Sequence, residues 1–226
     1  MDAPTSNLNP QATPFLPGIA SLPSLPDAAL TSTLDLLFEP SPQLHALTLP
    51  MLRTLSFGSY ADLIATLRDQ LLAMAAAVSG PHADPDARRP LHAILASHPR
   101  LGPAKPPTPH ADHDGNEEEE EQLSAQSAAE QAQLRGGDHA DARRLAALND
   151  EYEAAFPGLR YVVFVNGRPR DVIMADMRRR IDRADPQAEE REAIQAMCDI
   201  AADRAAKLQK SSPEAGEHCA SAPARV

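Results

Sequence analysis

An all-α, single-domain helical bundle is the fold this sequence predicts, and three observations carry that prediction. Leucine, alanine and methionine recur at three- and four-residue spacing in stretch after stretch, the period of a helix with one apolar side. One run alone, Tyr161-Val162-Val163-Phe164-Val165, has strand composition, and no other segment offers it a partner. Proline and glycine punctuate the periodic stretches and set their ends.

The elements follow in order. Residues 1–27 carry Pro4, Pro10, Pro14, Pro17, Pro23 and Pro26, which break any helical period and predict an extended Pro-rich arm. Asp27 is placed to cap a first helix bearing Leu30, Leu34, Leu37 and Phe38, ending before Pro40. Ser59 precedes a long helix with Leu63, Leu67, Leu71 and Met74 in register, stopped near Gly80-Pro81. A short helix fits Ala87 to Ser97, with Pro90 tolerable in its first turn and Leu91 and Leu95 as its stripe.

Residues 103–121 differ sharply. Four prolines lead into His110-Ala111-Asp112-His113 and the run Glu117 to Glu121, the composition of a flexible acidic insertion. Ser124 then caps a helix that breaks at Gly136-Gly137, and Ala140 to Phe156 is helical again. A strand by itself cannot satisfy its own backbone, so 161–165 reads as a buried extended or irregular segment. Helices over Val172–Asp182 and about Ala188–Leu208 complete the domain, 28–208, and the composition of 209–226 predicts a disordered tail.

The bulk numbers exclude several classes. A net charge of −11 argues against a nucleic-acid surface but leaves room for one well-placed arginine binding an anionic small molecule. Cys198 and Cys219 make neither a disulfide framework nor a thiolate metal site, which fits a reducing compartment. The longest wholly apolar run, Leu71 to Val78, is too short to span a bilayer, so no membrane role is expected. No Lys or Arg precedes Arg53, which argues against a secretory or transit leader. The terminal Ala224-Arg225-Val226 resembles a degenerate peroxisomal address, leaving peroxisome and cytosol both open.

Three clusters could carry chemistry. His98 stands at a helix end, in Ala96-Ser97-His98-Pro99-Arg100-Leu101-Gly102, and its ordinary pKa suits proton transfer in either direction. Pro99 disfavours helical geometry at His98, so the ring projects from the helix end; most such histidines are caps or surface residues. Ser127, Glu130 and Gln131 lie at i, i+3 and i+4, on one side of their helix, with Leu123 and Leu134 continuing that side. Taken alone, that pattern equally fits a solvated face. Arg204 falls on the stripe of Met197, Ile200, Ala201 and Leu208, where it must snorkel, pair with a carboxylate or bind an anion. Glu130 is its natural partner if both enter one cavity. The His110/His113 pair lacks rigid support for a metal, and phosphate loops and nucleophile motifs are missing from the sequence, so the expectation is no metal and no cofactor.

In this order, these residues resemble the 2-oxo-4-hydroxy-4-carboxy-5-ureidoimidazoline (OHCU) decarboxylase family of urate degradation. The resemblance begins at Leu37-Phe38-Glu39-Pro40-Ser41-Pro42 and continues through His98-Pro99-x-Leu101-Gly102 and Ser127-x-x-Glu130-Gln131. It then takes in Leu148-Asn149-x-x-Tyr152-x-x-x-Phe156 and Arg168 and closes at Ile200 and Arg204, spanning about residues 28–208. Gln43 stands where the family often has tryptophan. The resemblance implies an all-helical, cofactor-independent carboxy-lyase, a homodimer, that converts OHCU to (S)-allantoin. It implies His98 and Glu130 as catalytic residues, and Pro99, Ser127, Gln131, Val163, Phe164, Val165 and Arg204 as substrate contacts. Two other readings are a lyase acting on a related ureido heterocycle and a non-catalytic binding or scaffold protein of the same fold. In a third, weaker one, the arm and the acidic insertion serve as docking elements.

Overall fold

The computed structural model describes residues 15–77, 85–102, 127–128 and 139–210, and among these it is helical with no strand. The helices are α1 (Asp27–Phe38), α2 (Pro42–Thr54), α3 (Tyr60–Ala77), α4 (Arg89–Leu95), α5 (His139–Ala155), α6 (Arg170–Arg183) and α7 (Pro186–Lys210). Short 3-10 turns at Ile19–Ser24 and Pro85–Arg88 precede α1 and α4. The predicted all-α domain is therefore the observed one.

Helix α7 organises the bundle. It packs against α3, α1 and α4, and its buried positions, among them Ala193, Ile194, Met197, Ala201 and Ala205, lie on more than one side. Alanine on so many faces lets neighbouring backbones approach closely, which suits a helix surrounded by others. Around it, Leu30, Leu37, Phe38, Leu67, Leu71 and Leu95 are fully buried, each contributing about 1.5–3 kcal/mol of transfer free energy.

Helix α2 lies in a stretch for which the sequence reading proposed no element. Its signal is nonetheless local: Ser41 accepts a hydrogen bond from the Leu44 amide at 3.3 Å and Pro42 occupies the first turn. Pro50 inside the helix masks the period. Asp27 stands as the first helical residue of α1, after Pro26 at the cap, and there its charge favours the positive end of the helix. The described part of the arm is not detached, because Leu16 and Leu22 join the core and Tyr60 Oη donates to the Pro17 carbonyl at 2.8 Å.

The extended segment 161–165 satisfies its backbone through arginines instead of a neighbouring strand. Arg180 Nη1 donates to the Val162 carbonyl at 3.2 Å, Arg168 Nε to Val165 at 3.3 Å, and Arg168 Nη2 to Phe164. Asn166 and Gly167, both at positive φ, turn the chain so that Arg168 can reach back. Arg180 is itself buried and pairs through Nε with both oxygens of Glu189 at 3.0 Å, while its guanidinium lies 4.7 Å over the Tyr161 ring. Tyr152 Oη donates to the same carboxylate, so α5, α6, α7 and the extended segment meet on Glu189.

Removing one member of a buried ion pair strands the other charge. Arg180→Met is therefore expected to destabilise the fold by about 3–5 kcal/mol, whereas Arg180→Met with Glu189→Leu recovers most of the loss. Urea denaturation reads both; a single-mutant cost no larger than that of the exposed Arg178→Ala refutes the assignment.

Candidate functional site

Residues from four separate segments converge in the interior. His98, Ser127, Arg204 and Glu39 are 5%, 3%, 2% and 3% exposed respectively. Arg204 Nη2 lies 2.7 Å from Glu39 Oε1 and donates to Ser127 Oγ at 3.1 Å. Ser127 Oγ in turn donates to Glu39 Oε1, closing a three-membered ring of charge-assisted contacts.

The local sequence explains how each group arrives there. Helix α4 ends at Leu95, and Ser97 folds its hydroxyl back onto the Ile94 carbonyl at 2.7 Å, so His98 leaves the helix axis as Pro99 requires. The following residues fasten that exit. Arg160 Nη1 donates to the His98 carbonyl at 3.3 Å, Asn149 Nδ2 to the Leu101 carbonyl at 2.9 Å, and Arg100 Nε to Glu153 at 2.8 Å. Gly102 has φ +93°, and a Cβ there meets Leu145 Cδ2 at 2.8 Å. The His-Pro-x-Leu-Gly spacing thus describes a loop seated on α5.

Glu39 is the site residue that the sequence reading did not single out. It follows α1 with φ 76° and ψ 152°, a region that residues other than glycine rarely occupy. Pro40 bars the helical conformation at Glu39, and the turn directs the carboxylate inward. An acidic group at a helix's C-terminal end opposes the macrodipole, and that unfavourable placement before proline was the available signal.

Electrostatics tie His98 to this ring. Burial, then the nearby Arg204 charge, lowers the imidazole from 6.5 to about 4, with Glu39 pulling in the opposite direction. At neutral pH the ring is uncharged. Its Nε2 is buried without a hydrogen-bond partner among the described residues, an arrangement that costs free energy unless a ligand completes it. For Glu39, burial pushes the carboxyl up, but the Arg204 charge and the bonds from Ser127 and Arg204 outweigh it, so the net direction is down. The pair is ionised.

Val163, Phe164 and Val165 do not touch this ring in the described contacts. They line a cavity with Asn166, Ile200, Asp203 and Lys207. Helix α7 connects the two regions, since Ile200 of the cavity and Arg204 of the ring are one turn apart. Pro99 is half-buried beside His98. Glu130, Gln131 and the His110/His113 pair lie outside the described residues. Among the described residues, no cluster of His, Cys, Asp and Glu has metal-holding geometry.

A family model described as OHCU decarboxylase matches residues 23–206, most of the chain. The chain belongs to the OHCU decarboxylase family. No curated protein matched it closely enough to serve as a named relative. Membership supports a decarboxylase role in purine catabolism, and every residue of the buried ring falls within the matched span. No described helix is long and apolar enough to cross a membrane.

Two outcomes are expected. Gly102→Ala forces both a strained φ and a clash of the new Cβ with the buried Leu145 side chain, so it should lower stability by about 1–3 kcal/mol and displace His98. Denaturation together with the chemical shift of the His98 ring checks it. The second concerns acid. Because the folded imidazole binds its proton less readily than the unfolded one, the unfolded chain holds the extra proton between about pH 4 and 6.5. Stability should therefore fall as pH drops through that window, by on the order of 3 kcal/mol from this group, and His98→Asn should flatten the slope.

Proposed function

We propose that this protein decarboxylates OHCU to (S)-allantoin without a metal or organic cofactor. The observation that carries the reading is the buried contact of Ser127 with Arg204, with the buried His98 imidazole within electrostatic reach of that arginine, although the chain holds them far apart. Family membership supplies the reaction class.

The chemistry follows from the substrate's structure. Breaking the bond to the carboxyl carbon leaves an electron pair, which the neighbouring ring C=N absorbs as its nitrogen takes up a proton. The ureido-bearing carbon then gains a proton on one face while the 4-hydroxyl loses its own and becomes the carbonyl. One carbon dioxide leaves and one proton is consumed overall. In this reading His98 delivers the proton that sets handedness, and Glu130 fixes its tautomer or handles the substrate hydroxyl. Arg204 faces the oxygens on which charge develops, and Ser127 and Gln131 orient the polar ring edge. Pro99 and the Val163-Phe164-Val165 segment pack against the ring. Apolar surroundings favour conversion of a carboxylate into neutral carbon dioxide.

The test couples urate oxidation and hydrolysis to the purified protein and follows product handedness by circular dichroism. Wild type should yield optically active allantoin. His98→Asn should remain folded, lose about 10²–10⁴-fold in kcat and leave racemic product. Spontaneous-rate decay to racemate with wild-type protein makes the chain a scaffold instead. Preference for a different ureido heterocycle moves the activity to a related substrate.

A further inference from the structure

We propose that Glu39 is a positioning residue of this site: its carboxylate is the standing counter-ion of Arg204 and the acceptor that orients Ser127, so a ligand meets a neutralised arginine and a serine that can only accept. The inference rests on the reading above for its consequence in catalysis, though the counter-ion role itself does not depend on turnover.

Three independent observations carry it. Glu39 is almost fully buried, where a carboxylate without a partner is costly. It contacts two groups supplied from positions 88 and 165 residues further along the chain, Ser127 and Arg204, through the same Oε1 atom. Its backbone holds φ 76° and ψ 152°, a conformation that costs about 1–3 kcal/mol and persists where surrounding contacts over-determine it. A carboxylate with no role beyond ending α1 has no reason to occupy that conformation, because glycine does so without strain.

Hydrogen counting gives the consequence for Ser127. A hydroxyl has one proton and two lone pairs. An ionised carboxylate only accepts, so the Ser127–Glu39 contact takes the hydroxyl proton. Toward any ligand Ser127 is then an acceptor, suited to an N–H of a ureido or ring amide rather than a carbonyl oxygen.

Charge gives the consequence for Arg204. An unpaired buried arginine grips a substrate carboxylate as an ion pair and stabilises the ground state. That grip is lost as the carboxylate becomes carbon dioxide, so it opposes the reaction. Paired with Glu39, Arg204 offers directed N–H groups with little net charge.

Glu39→Gln in the full chain separates this from a purely structural role. Both kcat and KM for OHCU should fall, kcat by at least about tenfold, because the freed arginine binds the anionic substrate more tightly and converts it less readily. A raised KM with unchanged kcat, or wild-type values for both, overturns the proposal. A readout without turnover keeps it distinct from the reading above. Sodium formate, compared with sodium chloride at equal ionic strength, should raise the melting temperature of Glu39→Gln and leave wild type unmoved. Equal response of the two proteins sinks the counter-ion role even if wild type makes (S)-allantoin; loss of wild-type activity with an intact formate difference sinks only the decarboxylase reading. Should Glu39→Gln fail to fold, Glu39→Gln/Arg204→Met decides. Recovery of folding by removing both charges supports the pairing, and continued failure refutes it.

Discussion

The structure depends on keeping one buried guanidinium satisfied. Arg204 lies on α7, 2% exposed, in a stretch with the buried Ile200, Ala201 and Ala205. Isolated there, its charge costs several kcal/mol even after relaxation. The chain answers by bringing Glu39 and Ser127 onto the same Nη2 atom. The exit of α1 at positive φ before Pro40 carries the Glu39 carboxylate to that guanidinium, while α1 packs on α7. A hydrophobic isostere at 204 would remove the need for a counter-ion, so stability alone does not explain the arginine.

A second buried pair works by the same rule with a different result. Arg180 and Glu189 anchor Tyr152 and the Val162 carbonyl, and together with Arg168 they fix the extended segment without a strand partner. Here the arginine's donors are spent on protein groups from α7 and the segment itself. The two arginines therefore divide the labour on opposite stretches of one helix's surroundings: one secures the apolar wall beside the cavity, the other belongs to the polar cluster that includes His98's electrostatic neighbours.

Helical period made the architecture legible. Leu63, Leu67 and Leu71 in α3, and Leu145, Leu148 and Tyr152 in α5, face the core as their spacing predicts. Helix α2 was missed because Pro50 interrupts its period, although Ser41-Pro42 carried a start signal. Placing Arg204 on an apolar stripe was correct, and the demand for a partner followed from burial. The identity of Glu39 as one such partner did not, because pairing across 165 residues is a tertiary fact that no local spacing encodes. The low proton affinity of His98 was equally hidden: it comes from burial and from Arg204, and a bare histidine before proline announces neither.

Charge balance connects the resting site to the proposed reaction. At neutral pH the described cluster holds one positive and one negative formal charge and an uncharged imidazole. A monoanionic substrate adds a negative charge beside that imidazole, and a neighbouring anion favours the protonated ring. Binding thus raises the proton affinity of His98 at the moment a proton is needed, since converting a carboxylate to carbon dioxide and a C–H bond consumes one. Carbon dioxide leaves neutral while its bonding electron pair stays on the substrate's conjugated system, so the negative charge persists there until the imidazolium gives up its proton and neutralises it. A histidine neutral in the resting site gains its proton only when an anion arrives and is neutral again once that proton is spent. Burial that keeps the imidazole neutral before substrate arrives is therefore a working part of such a catalyst, not a defect in it.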